Sequence, residues 1–156
     1  MKTNMIDISL KKKVLRTATA CGRINLSKDT IKQIKDNKTK KGDVFTVSEI
    51  AAINAVKDTP RMIPLCHNIP ISKVGVEFDC ADNYINAKVT VISYGSTGVE
   101  MEALTGVTVS LLNIWDMVKY LEKDNDGQYP GTQITGIKVT EKKKEDIHGN
   151  TINKRA

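Results

Sequence analysis

Aromatic residues are scarce in this sequence, and the shortage argues against one class of partner. Tryptophan, tyrosine and phenylalanine together make up 4% of the 156 residues. RNA-recognition domains stack bases on strand aromatics within a characteristic motif, and no segment here matches that motif. We therefore expect no nucleic-acid partner of that kind.

Cysteine and long apolar runs are also scarce. The three cysteines, Cys21, Cys66 and Cys80, cannot all pair, and none forms a Cys-x-x-Cys motif. This usage favours a reducing compartment, which we take to be the cytoplasm. No apolar run approaches the roughly 20 residues that cross a bilayer, and no apolar signal segment follows the N-terminus. The expectation is a cytoplasmic protein without a membrane partner.

The charge balance is basic, with 24 lysines and arginines against 18 acidic residues and a net charge of +6. Such a balance permits a polyanionic partner, either nucleic acid or a phosphorylated small molecule, and does not choose between them. The length fits a single domain over residues 1–156. About four N-terminal and about twelve C-terminal residues are expected to be flexible, and the charged chain from Lys142 onward is expected to fray.

The first half of the chain predicts one strand and two helices. Alternating apolar residues from Val14 to Leu26 indicate a strand that Gly22 interrupts. Ser27 and Asp43 are suitable N-caps for a short helix that fades at residues 36–37 and a longer one that ends near Pro60. The longer helix is expected to turn the following residues inward: Val44, Val47, Ile50, Ala51 and Ala55.

The second half predicts a hairpin, a long helix and a last strand. After a proline-marked irregular stretch, residues 74–78 and 85–91 alternate around a turn at 81–83. Apolar residues then recur at helical spacing along one stripe, and a strand follows through residues 134–139. The stripe comprises Met101, Leu104, Val107, Leu111, Ile114, Trp115, Val118 and Leu121. This element order is typical of an α+β fold with a ferredoxin-like antiparallel sheet and helices on one face.

A compact charged set lies off the apolar stripe of the long helix: Glu100, Glu102, Asn113, Asp116 and Lys119. Asp116 and Lys119 are neighbours at i and i+3, which in most helices is only a solvated ion pair. Glu102 precedes Asp116 by 14 residues and points roughly the same way, but the two lie about 21 Å apart along the axis. Either the ligand is long, like a nucleoside triphosphate, or a second subunit supplies one carboxylate.

Other residues that could carry chemistry have ordinary alternatives. His67 lies in a proline-flanked loop, where a lone histidine is usually a surface residue. Cys66 beside it would point to the opposite side of an extended segment. A zinc site from Cys21, Cys66, His67, Cys80 and His148 lacks the paired short spacing of structural zinc, so no metal is expected. Lys41 could close a turn, or meet phosphate at the entrance of the second helix.

Two motifs resemble the family of cyclic pyranopterin monophosphate synthases, the C proteins of molybdenum cofactor biosynthesis. They are Ile-Pro-Leu-Cys-His at 63–67 and Thr-Gly-Val-Glu-Met-Glu-Ala-Leu-Thr at 97–105. Shorter matches lie at residues 5–9, 16, 22–23, 41–44, 51–53, 57 and 116–119. The resemblance covers residues 5 to 142 in unbroken order.

The resemblance implies conversion of (8S)-3′,8-cyclo-7,8-dihydroguanosine 5′-triphosphate into cyclic pyranopterin monophosphate and diphosphate, by a lyase without a cofactor. It also implies a homohexamer, a trimer of dimers, with active sites at subunit interfaces. Asp116, Lys119, Lys41 and His67 would be catalytic. The substrate-binding residues would be Leu65, Cys66, His67, Met101, Glu102, Glu100, Lys57 and Arg16.

The sequence departs from the family at its C-terminal end. Many members end in a glycine-rich Lys-Ser-Gly-Gly-Lys segment, whereas this chain has Glu-Lys-Lys-Lys-Glu at 141–145 and a longer connection through Tyr129 and Pro130. Lys142 corresponds loosely to the motif lysine. The alternative function is a non-catalytic module that binds a phosphate ligand or RNA, for which the full acid-base set would be unnecessary.

Overall fold

A computed structural model describes residues 1–147, which form a four-stranded antiparallel sheet with three helices. The strands pair in the order β2-β3-β1-β4. The predicted α+β architecture is confirmed, and two helices occupy the first connection as the N-caps indicated. The elements are β1 Val14–Asn25, α1 Lys28–Lys35, α2 Val44–Met62, β2 Lys73–Cys80, β3 Tyr84–Gly95, α3 Glu100–Glu122 and β4 Gln133–Glu145.

The core lies between the sheet and the two long helices. In β1 the even positions are buried, and Ala18 and Ala20 stand opposite Val91 and Val89 of β3. The strand continues through Gly22 opposite β3, but its register with β4 shifts between Cys21 and Arg23. A Cβ at Gly22 would lie 2.8 Å from Leu111 Cδ1 of α3. The absence of a side chain at Gly22 therefore lets α3 approach the sheet.

Both helix starts follow the predicted capping chemistry. The Ser27 Oγ accepts a hydrogen bond from the Thr30 amide, and Asp43 Oδ1 accepts from the amides of Phe45 and Thr46. These bonds satisfy amides that have no partner inside the helix. Asp43 thus caps the start of α2 two residues after Lys41, which places that lysine at the entrance of the helix.

The inward face predicted for α2 is partly wrong. Val47 and Ile50 are 40% and 54% exposed, whereas Ser48 and Ala52 are fully buried. The reason is close helix packing, since Asn113 of α3 donates to Ser48 Oγ at 2.9 Å. Small residues allow this approach, which periodicity of apolar residues does not detect.

The predicted ends of α2 and of β4 also need correction. Pro60 lies inside α2, which continues to Met62. One lost backbone bond is tolerated because the next turn still closes, with the Ile63 amide bonded to the Thr59 carbonyl. The fraying predicted from Lys142 is wrong as far as Glu145, since residues 142–145 pair with residues 15–18 of β1. The rest of that tail, residues 148–156, lies outside the described residues.

Four positions of the long apolar stripe are less buried than predicted. Leu111 and Ile114 are fully buried, but Met101 is 42% exposed, and Leu104, Trp115 and Leu121 are only half-buried. Glu102 was expected off the core and is 3% exposed. The pattern of burial along α3 therefore differs from a simple apolar stripe: Met101 and Trp115 are partly exposed, and Glu102 is buried.

Candidate functional site

Asp116 is held by two lysines from different parts of the chain. Its Oδ1 lies 2.9 Å from Lys119 Nζ, one turn further along α3. Its Oδ2 lies 2.6 Å from Lys41 Nζ, which also donates to the Asp116 backbone carbonyl at 3.0 Å. The packing of α2 against α3 brings Lys41 to this position, 75 residues away in sequence. All three side chains remain substantially exposed.

The two lysines set the ionisation of this cluster. Hydrogen bonds from Lys41 and then Lys119, with the charges of both, lower the pKa of Asp116 to about 2. The hydrogen bond and charge of Asp116 in turn raise the pKa of Lys119. At neutral pH the cluster is therefore one carboxylate between two ammonium groups, an excess of positive charge that suits an anionic ligand.

A second group of predicted residues lines a cleft of about 520 Å³ at the other end of α3. The loop after α2 and the first turn of α3 form its walls, and the segment before β1 covers part of it. Its lining residues are Asn4, Ile6, Ile8, Lys11, Leu65, Cys66, His67, Thr97, Gly98, Glu100, Met101 and Glu102. The structure thus joins the two sequence motifs, at 63–67 and 97–105, in one cleft.

The two glutamates of this cleft have opposite pKa shifts. Burial raises the pKa of Glu102, and the nearby charge of Glu100 adds to that effect. Burial also acts to raise the pKa of Glu100, but the hydrogen bond from Lys142 and the charges of Lys142 and Arg16 outweigh it and lower that pKa. Two carboxyl groups whose pKa values are shifted in opposite directions suit different steps of an acid-base reaction.

Cys66 and His67 do not form a pair within the cleft. The Nε2 of His67 lies 2.7 Å from the Ile6 carbonyl oxygen, which can only accept, so this nitrogen carries hydrogen. Burial, with the charge of Glu102, raises the pKa of the Cys66 thiol. A thiol of raised pKa is a weak nucleophile, which agrees with the sequence argument against a dyad.

Lys57 lies away from both groups, whereas Arg16 lies behind the second one, where its charge acts on Glu100. Arg16 is 8% exposed, and its Nε and Nη2 donate to the carbonyls of Gly95 and Ser96 at 2.9 and 3.1 Å. Lys57 lines a separate groove between α2 and the residues leading into β2. Among the predicted site residues, the structure therefore assembles one cluster around Asp116 and another around Glu102.

Three residues in or beside the cleft escaped the sequence reasoning. Ile6 and Ile8 belong to the segment before β1, where alternation was noticed but no position relative to His67 could be inferred. Lys142 forms an ion pair with Glu100 from the edge strand β4. Its only sequence signal was the loose correspondence with the family's terminal lysine.

Within residues 1–147, no three histidine, cysteine or acidic side chains are arranged to hold a metal ion. His148, one of the residues considered for zinc, lies outside that range. The helices of the same range include none with the length and apolar character that crossing a membrane requires.

We expect Glu102→Gln to stabilise the protein at neutral pH while lowering its activity. The folded-state pKa of Glu102 is raised above the ordinary value of a glutamate, so the wild type loses stability as pH rises from the unfolded-state pKa through the folded one. Glutamine has no such ionisation. Melting temperatures measured from about pH 4 to about pH 8 should diverge in favour of the variant as pH rises.

The exposed Glu49 of α2 provides the matched control. Glu49→Gln should leave the pH dependence of the melting temperature unchanged. A lower melting temperature for Glu102→Gln at neutral pH would contradict the argument, because it would mean that the Glu102 carboxylate is a stabilising anion.

Comparison with known proteins gives a consistent result. The protein-family sequence model described as "MoaC family" matches residues 5–145. The chain is 55% identical over 143 residues to a "Probable cyclic pyranopterin monophosphate synthase" of Methanoregula boonei, covering 92% of both chains. A Thermococcus onnurineus protein of the same name is 54% identical over 142 residues, covering 91% of both chains. A Methanothermobacter thermautotrophicus protein, named as a probable accessory protein of that synthase, is 55% identical over 143 residues, covering 92% of this chain and 90% of its own.

Proposed function

This chain belongs to the MoaC family, and we propose that it acts in molybdenum cofactor biosynthesis as a cyclic pyranopterin monophosphate synthase. It converts the cyclised dihydroguanosine triphosphate into cyclic pyranopterin monophosphate and diphosphate. The observation that carries this assignment is identity of 54–55% over about nine tenths of the chain. The matched range, residues 5–145, includes every candidate site residue.

The lysine pair around Asp116 supports the phosphate part of the reaction. Closing the cyclic phosphate forms a bond from a substrate hydroxyl to the α-phosphorus and breaks the bond to the departing diphosphate. Negative charge grows on the departing oxygen, and fixed ammonium groups stabilise it. Lys41 and Lys119 are two such groups, held within 2.9 Å of one carboxylate.

Asp116 acts first as the anion that keeps both lysines in place. A carboxylate with a pKa of about 2 accepts a proton poorly at neutral pH. When phosphate oxygens of the substrate take over the hydrogen bonds of Lys41, the cause of the low pKa weakens. Asp116 then becomes a better proton acceptor beside Lys119, so substrate binding itself activates the base.

The cleft around Glu102 suits the base-derived ring. It places Leu65 and Met101 beside carboxyl groups of unlike pKa. An apolar wall with a few polar groups is the usual environment of a heterocyclic ligand. Glu102 and Glu100 thus contact the ring with different affinities for a proton while it opens and closes again, and His67 contributes from the facing loop.

One chain does not bring these two groups of residues to a compact ligand. Glu102 and Asp116 lie on the same helix, 14 residues apart, which corresponds to about 21 Å of rise. We propose that a second copy completes each site, within the homohexamer expected for the family, and that this lyase is cytoplasmic. Sedimentation tests the first point, because a strict monomer that turns over the substrate would refute a shared site.

The decisive experiment incubates the purified protein with the cyclised dihydroguanosine triphosphate and follows diphosphate and the pyranopterin product. Formation of both by wild type is expected. A folded, oligomeric protein that yields neither would refute the assignment. A salt-dependent gel shift with RNA would then favour the binding-module alternative.

A further inference from the structure

A tyrosine from the connection between α3 and β4 packs beside the lysine cluster. The ring of Tyr129 meets the single tryptophan, Trp115, edge-on, with centroids 5.6 Å apart and planes at 79°. Lys123 Nζ lies 6.0 Å from the centroid of the same ring. Tyr129 is half-buried, although its connection projects from the helix end.

The two residues that contact this ring lie on either side of Lys119. Trp115 and Lys119 lie four residues apart on α3, so their side chains share one side of the helix, and Lys123 follows directly after the helix end at Glu122. The Tyr129 ring contacts Trp115 and Lys123. We infer that it also lies beside Lys119, which is between them in sequence. Tyr129 also contributes to the raised pKa of Lys119, after the larger effects of Asp116, in agreement with a position of the ring beside that lysine.

We propose that Tyr129 is a positioning residue for Lys119, confining its ammonium group to the side of Asp116. The Lys119 side chain has a flexible stem of four carbons and is 47% exposed. One hydrogen bond alone therefore fixes its ammonium group weakly. The Tyr129 ring removes part of the volume that the Lys119 side chain could otherwise occupy. The ammonium then stays at 2.9 Å from Asp116 Oδ1 before any ligand arrives.

The proposal rests on the proposed function for its kinetic consequence, but the placement of Lys119 is measurable without turnover. Tyr129→Ala removes the ring, whereas Tyr129→Phe removes only the hydroxyl and keeps the contacts with Trp115 and Lys123. Loss of the ring should lower kcat about tenfold and leave KM within about twofold, since misplacement of a reacting group acts mainly on the chemical step. Tyr129→Phe should restore kcat to near the wild-type value.

The independent measurement is the rate at which an amine reagent labels Lys119, followed by mass spectrometry. We expect labelling in Tyr129→Ala to be at least about twofold faster than in wild type or Tyr129→Phe, because a less confined amine reacts more readily. Lys138, on β4, is the internal reference for reagent activity. The fluorescence emission of Trp115 serves as the control: in Tyr129→Ala it should differ from wild type because the ring contact is lost, and it should shift further when the protein is unfolded.

Unchanged labelling of Lys119 in Tyr129→Ala would overturn the proposal, whatever happens to kcat, because the effect would not pass through Lys119. A Tyr129→Phe variant as impaired as Tyr129→Ala would also overturn it, by assigning the role to the hydroxyl. If wild type fails to turn over the triphosphate, the proposed function is refuted. The labelling rates still decide the positioning role of Tyr129.

Discussion

Asp116→Asn is expected to lower kcat by about 100-fold or more, the size of effect seen when a group that takes part in proton transfer is removed. Asparagine has nearly the same shape but no charge, so it cannot hold Lys41 and Lys119 at 2.6 and 2.9 Å. It also cannot accept a proton once the substrate phosphates have drawn Lys41 away. Diphosphate release under saturating substrate measures the effect directly.

A second helical aspartate provides the matched control. Asp58 of α2 pairs with Arg61 at the same i, i+3 spacing, with 3.5 Å between Oδ1 and Nη1, and is also 52% exposed. Asp58→Asn should retain wild-type turnover. If Asp116→Asn retained turnover within about threefold of wild type, Asp116 would be only an exposed ion-pair partner of the kind common on protein surfaces.

Leu111→Ala should reduce the free energy of unfolding by about 3 kcal/mol, a value within the range for buried leucine truncations. Leu111 is fully buried in the middle of α3. The residue beneath it in the sheet is Gly22, which has no side chain to fill the space that the truncation leaves. Denaturant unfolding of wild type and variant, with equal m-values, gives the difference.

The neighbouring Leu112, 56% exposed, is the control for this truncation. Leu112→Ala should change the free energy of unfolding by no more than about 0.5 kcal/mol. A double-mutant cycle sharpens the test, since Gly22→Ala should destabilise wild type by crowding Leu111 but cost less in the Leu111→Ala background. Additive effects of the two substitutions would contradict the close contact between α3 and β1.

Local chemistry in the sequence was sufficient for most of the fold. Ser27 and Asp43 predict helix starts because their side chains accept hydrogen bonds from free backbone amides two or three residues ahead. This interaction is local and needs no tertiary partner. Alternation in β1, β2 and β3 likewise follows from one buried face. These elements, together with their order, allowed the four-stranded α+β architecture to be predicted.

The errors in the prediction occur where tertiary packing overrides the local pattern. Val47 and Ile50 fit an inward stripe, but α3 packs against the small residues Ser48 and Ala52 instead. Gly22 suggested a break in β1, but the strand continues through it opposite β3, and a Cβ there would meet Leu111 of α3. In each case the deciding contact joins residues far apart in sequence, which periodicity within one element does not detect.

The sequence by itself determined the family resemblance, the helix caps, the strand order along the chain and the candidate residues Asp116, Lys119, His67 and Glu102. Only the tertiary structure decided how these residues are grouped, since grouping depends on how α2 and α3 pack. That packing places Lys41 on Asp116, and leaves Glu102 in a separate cleft with Cys66 and His67. The pKa values follow from the same packing, because burial and charged neighbours are properties of the folded chain and not of any single segment.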